Sequence, residues 1–318
     1  MSNTNKHIIA FYNLENFFDT TDDPKKNDND FLPNGSNHWT ENRYLNKVER
    51  ITAAIESIQP EKLPIAIGVA EIENKTVLRD LIYQPAFKGE YDFIHYDSPD
   101  RRGIDVALLY NKTEFEVIHH ERIPVRMNGN SRFVTRDILY VKGKLAGSVV
   151  HLFVNHWPSR AEGILASEPK RIVAANCLYK KASTILNADA EAKILMMGDF
   201  NDLPISKSIT KHLHTKAHKN IKETEFYNLA AIPYQNKVGS LFAKKHWLMF
   251  DQIIISKGMM FGKGIKIKAP RLTIHGDKKL LYFDQQAGIY KPSRTYSYHT
   301  YRGGSSDHLP VYIGIVGE

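Results

Sequence analysis

A single cysteine, Cys177, stands in a chain of 318 residues. One thiol can form no internal disulfide, no Cys-based zinc site and no Cys-x-x-Cys redox pair, and its helix-like surroundings read as those of a small buried side chain. Long apolar runs are missing too. None approaches the roughly 20 residues that a membrane-spanning helix needs, and the opening Met1-Ser2-Asn3-Thr4-Asn5-Lys6-His7 lacks the charged-then-apolar form of a leader. No integral membrane association and a cytoplasmic location are therefore expected. There is no linker, repeat or low-complexity block, and 42% hydrophobic with 25% charged residues excludes disorder and fibrous repeats.

An excess of negative charge is also absent. The 43 Lys and Arg outnumber the 35 Asp and Glu, for a formal charge of +8. Such a balance suits a polyanion, nucleic acid or an anionic membrane surface, although a solvated basic face gives the same number. Basic residues are dense from Lys257 to Arg302, whereas carboxylates gather at Asp19, Asp22, Asp23, Asp28 and Asp30. Tyr282, Phe283, Tyr290, Tyr296, Tyr298 and Tyr301 interleave with the basic stretch; aromatics among cations stack on bases, and Tyr-rich hairpins share the pattern.

Periodicity gives the elements. His7 to Tyr12 is an apolar strand, and Leu45, Val48, Ile51, Ile55 and Ile58 recur at helical steps after it. Ile65 to Ala70 forms a second strand, followed by a short helix from Asn74 to Tyr83. The next segments read as strands, Ile104 to Tyr110, Phe115 to His119, Phe133 to Val141 and Val149 to Val154. A helix facing inward with Ile172, Ala175, Tyr179, Ala182 and Leu186 precedes strands at Ile194 to Met197, Phe250 to Ser256 and Leu309 to Ile315. Thr20 to Asn37 and Lys257 to Gly304 read as the least structured stretches. The order indicates an α/β chain whose helices fall between groups of strands, one core rather than two consecutive domains.

Chemistry collects just past the strands. Asn13 follows Phe11-Tyr12, Glu71 follows Val69-Ala70, Asn155-His156 follow Phe153-Val154, Asp199 to Asn201 follow Met196-Met197, and Ser306-Asp307-His308 precede Leu309. Strands ending side by side would gather Glu71, Asp199 and Asp307 with the amides Asn13 and Asn201, an oxygen-rich set without thiolate that suits Mg2+ or Mn2+. Asp199 and Asn201, two apart, share a side in extended backbone. Phosphodiester cleavage also needs a deprotonated water and a group that neutralises or protonates the departing oxygen; His308 and His156 suit both tasks. Asp251 is the carboxylate chosen to orient His308. Each piece alone also reads blandly, as a turn or a surface histidine.

Together, in this order, they resemble the endonuclease/exonuclease/phosphatase superfamily, which includes deoxyribonuclease I-like nucleases, abasic-site endonucleases, sphingomyelinases and inositol polyphosphate 5-phosphatases. The resemblance runs from Asn13 to His308 through Phe11-Tyr12-Asn13-Leu14-Glu15-Asn16, Gly68 to Glu71, Arg102 to Tyr110, Asn155 to Arg160, Gly198 to Asp202 and Ser306 to His308. It looks most like a bacterial branch of that superfamily whose substrates are largely unassigned. It implies a single domain spanning residues 1–318: a four-layer sandwich of two mixed β-sheets packed face to face, with helices on the outer faces. It implies Glu71 as the metal carboxylate with Asn13 close by and Asp307 across the metal site. Asp199 and Asn201 would position nucleophile and phosphate, His308 with Asp251 would be base or phosphate contact, and His156 would be the second histidine. The base could equally be Asp199. His156-Trp157-Pro158-Ser159-Arg160 departs from the family's usual threonine-His-Leu form and brings Arg160 near the site. Arg160, with Arg102 and Arg136, suits paired hydrogen bonds to phosphate or, equally, structural ion pairs. Asp105 is a possible orienter of His156.

The resulting expectation is a monomeric metal-dependent phosphodiesterase acting on nucleic acid. An inositol phosphate or lipid head group is the alternative substrate, although no membrane-inserting hairpin or basic amphipathic helix is seen. A catalytically silent binding module would have lost ligands, and here the set is complete.

Overall fold

The computed structural model describes residues 6–127, 129–130 and 132–317; Met1 to Asn5, read above for a leader, lie outside them. In chain order the elements are β1 (Lys6–Phe17), α1 (Glu41–Ile58), β2 (Ala66–Ile72), α2 (Lys75–Ile82), β3 (Tyr91–His95), β4 (Asp105–Asn111), β5 (Phe115–Ile123), β6 (Ile138–Leu145), β7 (Ser148–His156), α3 (Ile164–Ala188) and β8 (Lys193–Asp199). Shorter strands follow: β9 (Thr215–Lys216), β10 (Phe226–Asn228), β11 (Leu241–Ala243), β12 (His246–Leu248), β13 (Asp251–Ile255), β14 (Lys266–Ile267), β15 (Thr273–Ile274), β16 (Leu281–Asp284), β17 (Ile289–Pro292), β18 (Tyr296–Ser297), β19 (Thr300–Tyr301) and β20 (Val311–Val316).

Side chains along β1 alternate between two apolar environments, Ile9 and Phe11 on one side and Ile8, Ala10 and Tyr12 on the other. A strand buried on both faces must be covered on both. Two seven-stranded mixed sheets provide this, in the orders β14-β20-β1-β2-β4-β3, with β15 also on β20, and β5-β6-β7-β8-β13-β10-β9. Between them lie Phe11, Val106, Leu108, Leu152, Val154, Leu195, Met197 and Ile253. On the outer face of the first sheet, Val48, Ile51 and Ile55 of α1 and Val77 and Leu81 of α2 cover Ile67, Val69 and Leu109. On the outer face of the second, Ala175, Leu178 and Ala182 of α3 cover Phe153, Ile194 and Met196. This helix, sheet, sheet, helix stack is the architecture that the resemblance implied.

Toward the other sheet, β2 carries only small residues. Ala66, Gly68 and Ala70 face the interior, and a methyl group on Gly68 would lie 2.9 Å from Met197 Sδ. α2 starts where the Asn74 side chain accepts from Thr76 N and Val77 N, at 2.7 and 3.2 Å.

Three readings shift. The strand expected from Phe133 begins only at Ile138, because Arg136 and Asp137 turn their side chains to partners on neighbouring segments. The inward stripe of α3 is Arg171, Ala175, Leu178 and Ala182, with Ile172 and Tyr179 on its flank; the buried Arg171 is held by Asp202, 2.8 Å from its Nε. The stretch from Lys257 to Gly304 contains a short helix, Lys257–Phe261, and the hairpins β16–β17 and β18–β19. Among the described residues, no helix is long and apolar enough to cross a membrane.

Candidate active site

Strand register assembles the site. Asn13 stands opposite Ala70, His156 opposite Asp199, and Asp199 opposite Asp251, while His308 bridges to Leu241. Bulges interrupt β1 between Asn13 and Phe17 and β2 between Ala70 and Ile72. At them Glu15, Asn16 and Glu71 take left-handed backbone, φ 48°, 52° and 61°, as Asn201 does at φ 49°. Such conformations cost on the order of 1–3 kcal/mol each and persist only where neighbours impose them. Those neighbours are present: Asn16 N donates to Glu71 Oε2 at 2.9 Å, Glu15 N to Asn13 Oδ1 at 2.9 Å, and Asn201 N to Asp199 Oδ1 at 2.8 Å. The bulges turn Glu71 out of the ladder and toward the rim.

Asp199 Oδ2 is the centre of the arrangement. Asn13 Nδ2 donates to it at 3.1 Å and also reaches Glu71 Oε1 at 3.5 Å. His156 Nε2 lies 3.8 Å from both Asp199 Oδ2 and Glu71 Oε1. His308 Nε2 lies 3.9 Å from Asp199 Oδ2 and from Asp307 Oδ1. The other nitrogen of His308, Nδ1, sits 2.6 Å from Asp251 Oδ2, which also accepts the Ser240 hydroxyl. Ser306 Oγ accepts from His308 N at 3.0 Å and donates to Asn13 O at 2.6 Å, tying the approach to β20 to the end of β1.

Two buried imidazoles are driven apart in charge. Burial favours the neutral ring in both. In His308 the charge and hydrogen bond of Asp251, with Asp307 and Asp199, outweigh burial and raise its pKa well above the usual value. In His156 burial is reinforced by Arg136, Arg102 and His308, which hold it well below. Burial, with the charge of Asp251, raises Asp199 toward neutrality.

All eight predicted site residues other than the arginines meet here. Of the arginines, Arg102 is half exposed; its Nη2 donates to Asn16 Oδ1 and lies 3.8 Å from Glu71 Oε2. Arg136 and Arg160 are committed to scaffold. Arg136 donates to the His156 and Trp157 carbonyls at 3.2 and 2.7 Å and to Asp100 at 3.0 Å. Arg160 donates to Asn201 O at 2.7 Å and to Asp202, and stacks on Phe250. Asp105 does not orient His156: it accepts from Ser98 N at 3.2 Å and faces His95, and His156 Nδ1 finds no partner among the described residues.

Four further residues support the rim: Ser240 on Asp251, Arg294 on Asp307 at 2.8 Å, and the buried pair Glu15 and Lys47. Lys47 Nζ donates to Glu15 O at 2.9 Å, Ser305 O at 2.8 Å and Thr295 Oγ1. The signal for Lys47 was in the sequence, since it falls in the buried phase of α1 between Tyr44 and Val48. Glu71, Asp199 and Asp307 bring hard carboxylate oxygens to the rim, donors of the type that suits a divalent cation such as Mg2+, while Asn13 turns its amide nitrogen toward Asp199 and Glu71.

The model of the endonuclease/exonuclease/phosphatase family matches residues 8–316. Among curated proteins none matches the chain. Among solved structures, a mannosyl-6-phosphatase of Bacteroides thetaiotaomicron is 17% identical with a TM-score of 0.61, covering 98% of this chain and 99% of its own. TDP2 of D. rerio, in complex with a single-strand DNA product, is 12% identical with a TM-score of 0.60, over 98% and 99% of the two chains. The human Nocturnin catalytic domain, with bound sulfate, is 14% identical with a TM-score of 0.58, over 98% and 95%.

Proposed function

The chain belongs to the endonuclease/exonuclease/phosphatase family, hydrolases acting on phosphate esters, and from this we propose that it is a divalent-metal-dependent phosphodiesterase whose substrate is nucleic acid. The observation that carries the reading is Asp199 Oδ2, one buried carboxylate oxygen between two imidazoles and an amide.

Glu71, flanked by Asn13 and Asp307, would hold Mg2+ or Mn2+. When bound, the ion supplies Lewis-acid polarisation of a phosphate oxygen and neutralises charge on the leaving oxygen. The protein side chains do the rest. Asp251 fixes the His308 ring with its Nδ1 proton toward the carboxylate, leaving Nε2 for a non-bridging phosphate oxygen. Asp199, held at Oδ1 by Asn201 N, presents Oδ2 to the attacking water and accepts its proton. Asn201 shapes this turn, its Nδ2 donating to Trp157 O at 3.0 Å. His156 Nε2 serves the leaving oxygen, and the half-exposed Arg102 contacts phosphate. Arg136 and Arg160 brace the backbone that carries His156 and Asn201 rather than contacting phosphate.

Nucleic acid is supported by the formal charge of +8 and by the β16–β17 hairpin. There Tyr282, Phe283 and Tyr290 are exposed, and Arg294 lines the adjoining groove with Tyr282 and Phe283 while bonding Asp307.

The test is hydrolysis of plasmid DNA, single-stranded DNA, RNA, bis-p-nitrophenyl phosphate and an inositol phosphate, with Mg2+, Mn2+ or EDTA. The expected outcome is nicking of nucleic acid that EDTA abolishes and that Glu71→Ala or His308→Ala lowers by about 10^2-fold or more while circular dichroism is unchanged. Cleavage of a small phosphoester alone would overturn the substrate assignment and keep the site; undiminished turnover by His308→Ala would overturn the site.

A further inference from the structure

A second group of ligating side chains lies away from the rim. β3 and β4 pair antiparallel with His95 opposite Ala107. Asp97 lies two residues beyond His95, and Asp105 two residues before Ala107. In extended backbone, steps of two keep one face, so the three side chains share one end of one face. By the alternation of β4 that face is the outer side of the first sheet, where Ala107 and Leu109 pack. The ligand atoms of His95, Asp97 and Asp105 all lie within 4.8 Å of one another.

Within this group His95 is unsatisfied. Its side chain is fully buried, yet neither ring nitrogen has a hydrogen-bond partner among the described residues. Buried polar nitrogens are almost always bonded. Nε2 points at both carboxylates, 3.7 Å from Asp105 Oδ2 and 3.9 Å from Asp97 Oδ1, too far for hydrogen bonds. A protonated imidazole in contact with a carboxylate closes to about 2.8 Å, and His308 with Asp251 does so in this same molecule, at 2.6 Å. The His95 group instead stands open, near the spacing that an interposed cation imposes: donors on a tetrahedral zinc, with bonds of about 2.0 Å, lie roughly 3.3 Å apart.

We propose that His95, Asp97 and Asp105 form a second divalent-cation site, for Zn2+, with water as the fourth ligand. One imidazole nitrogen with two carboxylate oxygens is a borderline donor set of the kind that takes Zn2+. Asp105 is already braced by the Ser98 amide, as ligating carboxylates commonly are, and the exposed Asp97 can move the last few tenths of an ångström inward. The ion clips the segment between β3 and β4 to the sheet. That segment carries Asp100, the partner of Arg136, and Arg102, the neighbour of Glu71.

The experiment uses the full chain carrying Glu71→Gln and His308→Gln, which disable the rim's main carboxylate and the imidazole of its Asp199, Asp251 and His308 group. The protein is stripped with chelator, loaded with Zn2+ alone and desalted, and bound metal is counted by mass spectrometry. One equivalent is expected, falling below a tenth of an equivalent when His95→Gln or Asp97→Asn is added. Because Asp97 is largely exposed, its substitution leaves the fold intact and the loss reads on the site. As a second readout, Zn2+ raises Tm in this background and does not when Asp97→Asn is added. Absence of retained Zn2+, or an equivalent that survives both added substitutions, would overturn the site.

Discussion

His308 and His156 differ in what touches them more than in how deeply they lie. Asp251 supplies His308 with a permanent counter-charge, so Asp251→Asn should leave an imidazole of the wrong tautomer and lower kcat by about 10^2–10^4-fold with KM little changed, a loss of the kind seen when an orienting carboxylate is amidated. Ser240→Ala, which removes only a hydroxyl from Asp251, should cost about tenfold; steady-state kinetics on a chromogenic diester check both. Much of this geometry was legible. A polar cluster at the end of an apolar run announces a strand end, and Asn13, Glu71, His156, Asp199 and His308 were found that way, with Asp251 added as the carboxylate suited to orient His308. Ser240 and Arg294 were not, because a serine or an arginine in a polar segment takes its meaning from partners on distant strands. Arg136 and Arg160 show the converse: an arginine near a phosphate site in sequence is as easily a brace for backbone carbonyls.

Sheet packing rests on a few contacts that can be tested singly. Gly68→Ala would push a methyl into Met197, and overpacking of this kind costs about 1–3 kcal/mol. Urea denaturation should show that loss, and Gly68→Ala/Met197→Ala should lose less than the sum of the single changes, because the two sites share one space. In the segment before β6, Arg136→Met would strand the buried Asp100 carboxylate and two carbonyls; the expected loss is about 3 kcal/mol, read by the same melt. Strand and helix positions followed from period, since apolar runs and helical steps need no knowledge of partners. The false start of β6 at Phe133 and the shifted phase of α3 have one cause. A buried arginine, Arg136 in one and Arg171 in the other, occupies a position where hydropathy expects an apolar residue, and its ion pair makes that burial affordable.

Across the whole molecule, pH acts through buried groups outside the rim. His151 accepts or donates a 2.8 Å hydrogen bond with Tyr140, and burial, with Lys142 and Lys181 against Asp189, lowers its pKa to about 4; Glu191 and Lys193 line the same depression. The unfolded ring titrates near its usual value of 6.5. Between pH 6.5 and 4 the unfolded chain therefore binds up to one more proton, so stability falls as pH falls through that window. His151→Gln should flatten the decline of Tm over that range without altering it above pH 7. Ionic strength acts on the substrate side. If the basic surface tracks a polyanion, the apparent KM for DNA rises steeply from 50 to 200 mM salt, while kcat on a small diester stays nearly constant.

The pairing of β1 with β20 places Ile9 opposite Ile313 and Phe11 opposite Val311, and 293 residues separate Asn13 from the Ser306 hydroxyl that holds its carbonyl. Translated at about 5–20 residues per second, the chain adds the second partner on the order of 15–60 s after the first. Throughout that interval one edge of β1 stays unpaired, and the rim lacks Asp307 and His308. A chain that stops before Ser306 therefore lacks both the strand that covers this edge of β1 and two of the rim's proposed catalytic groups, and is expected to show no hydrolysis in the phosphodiester assay.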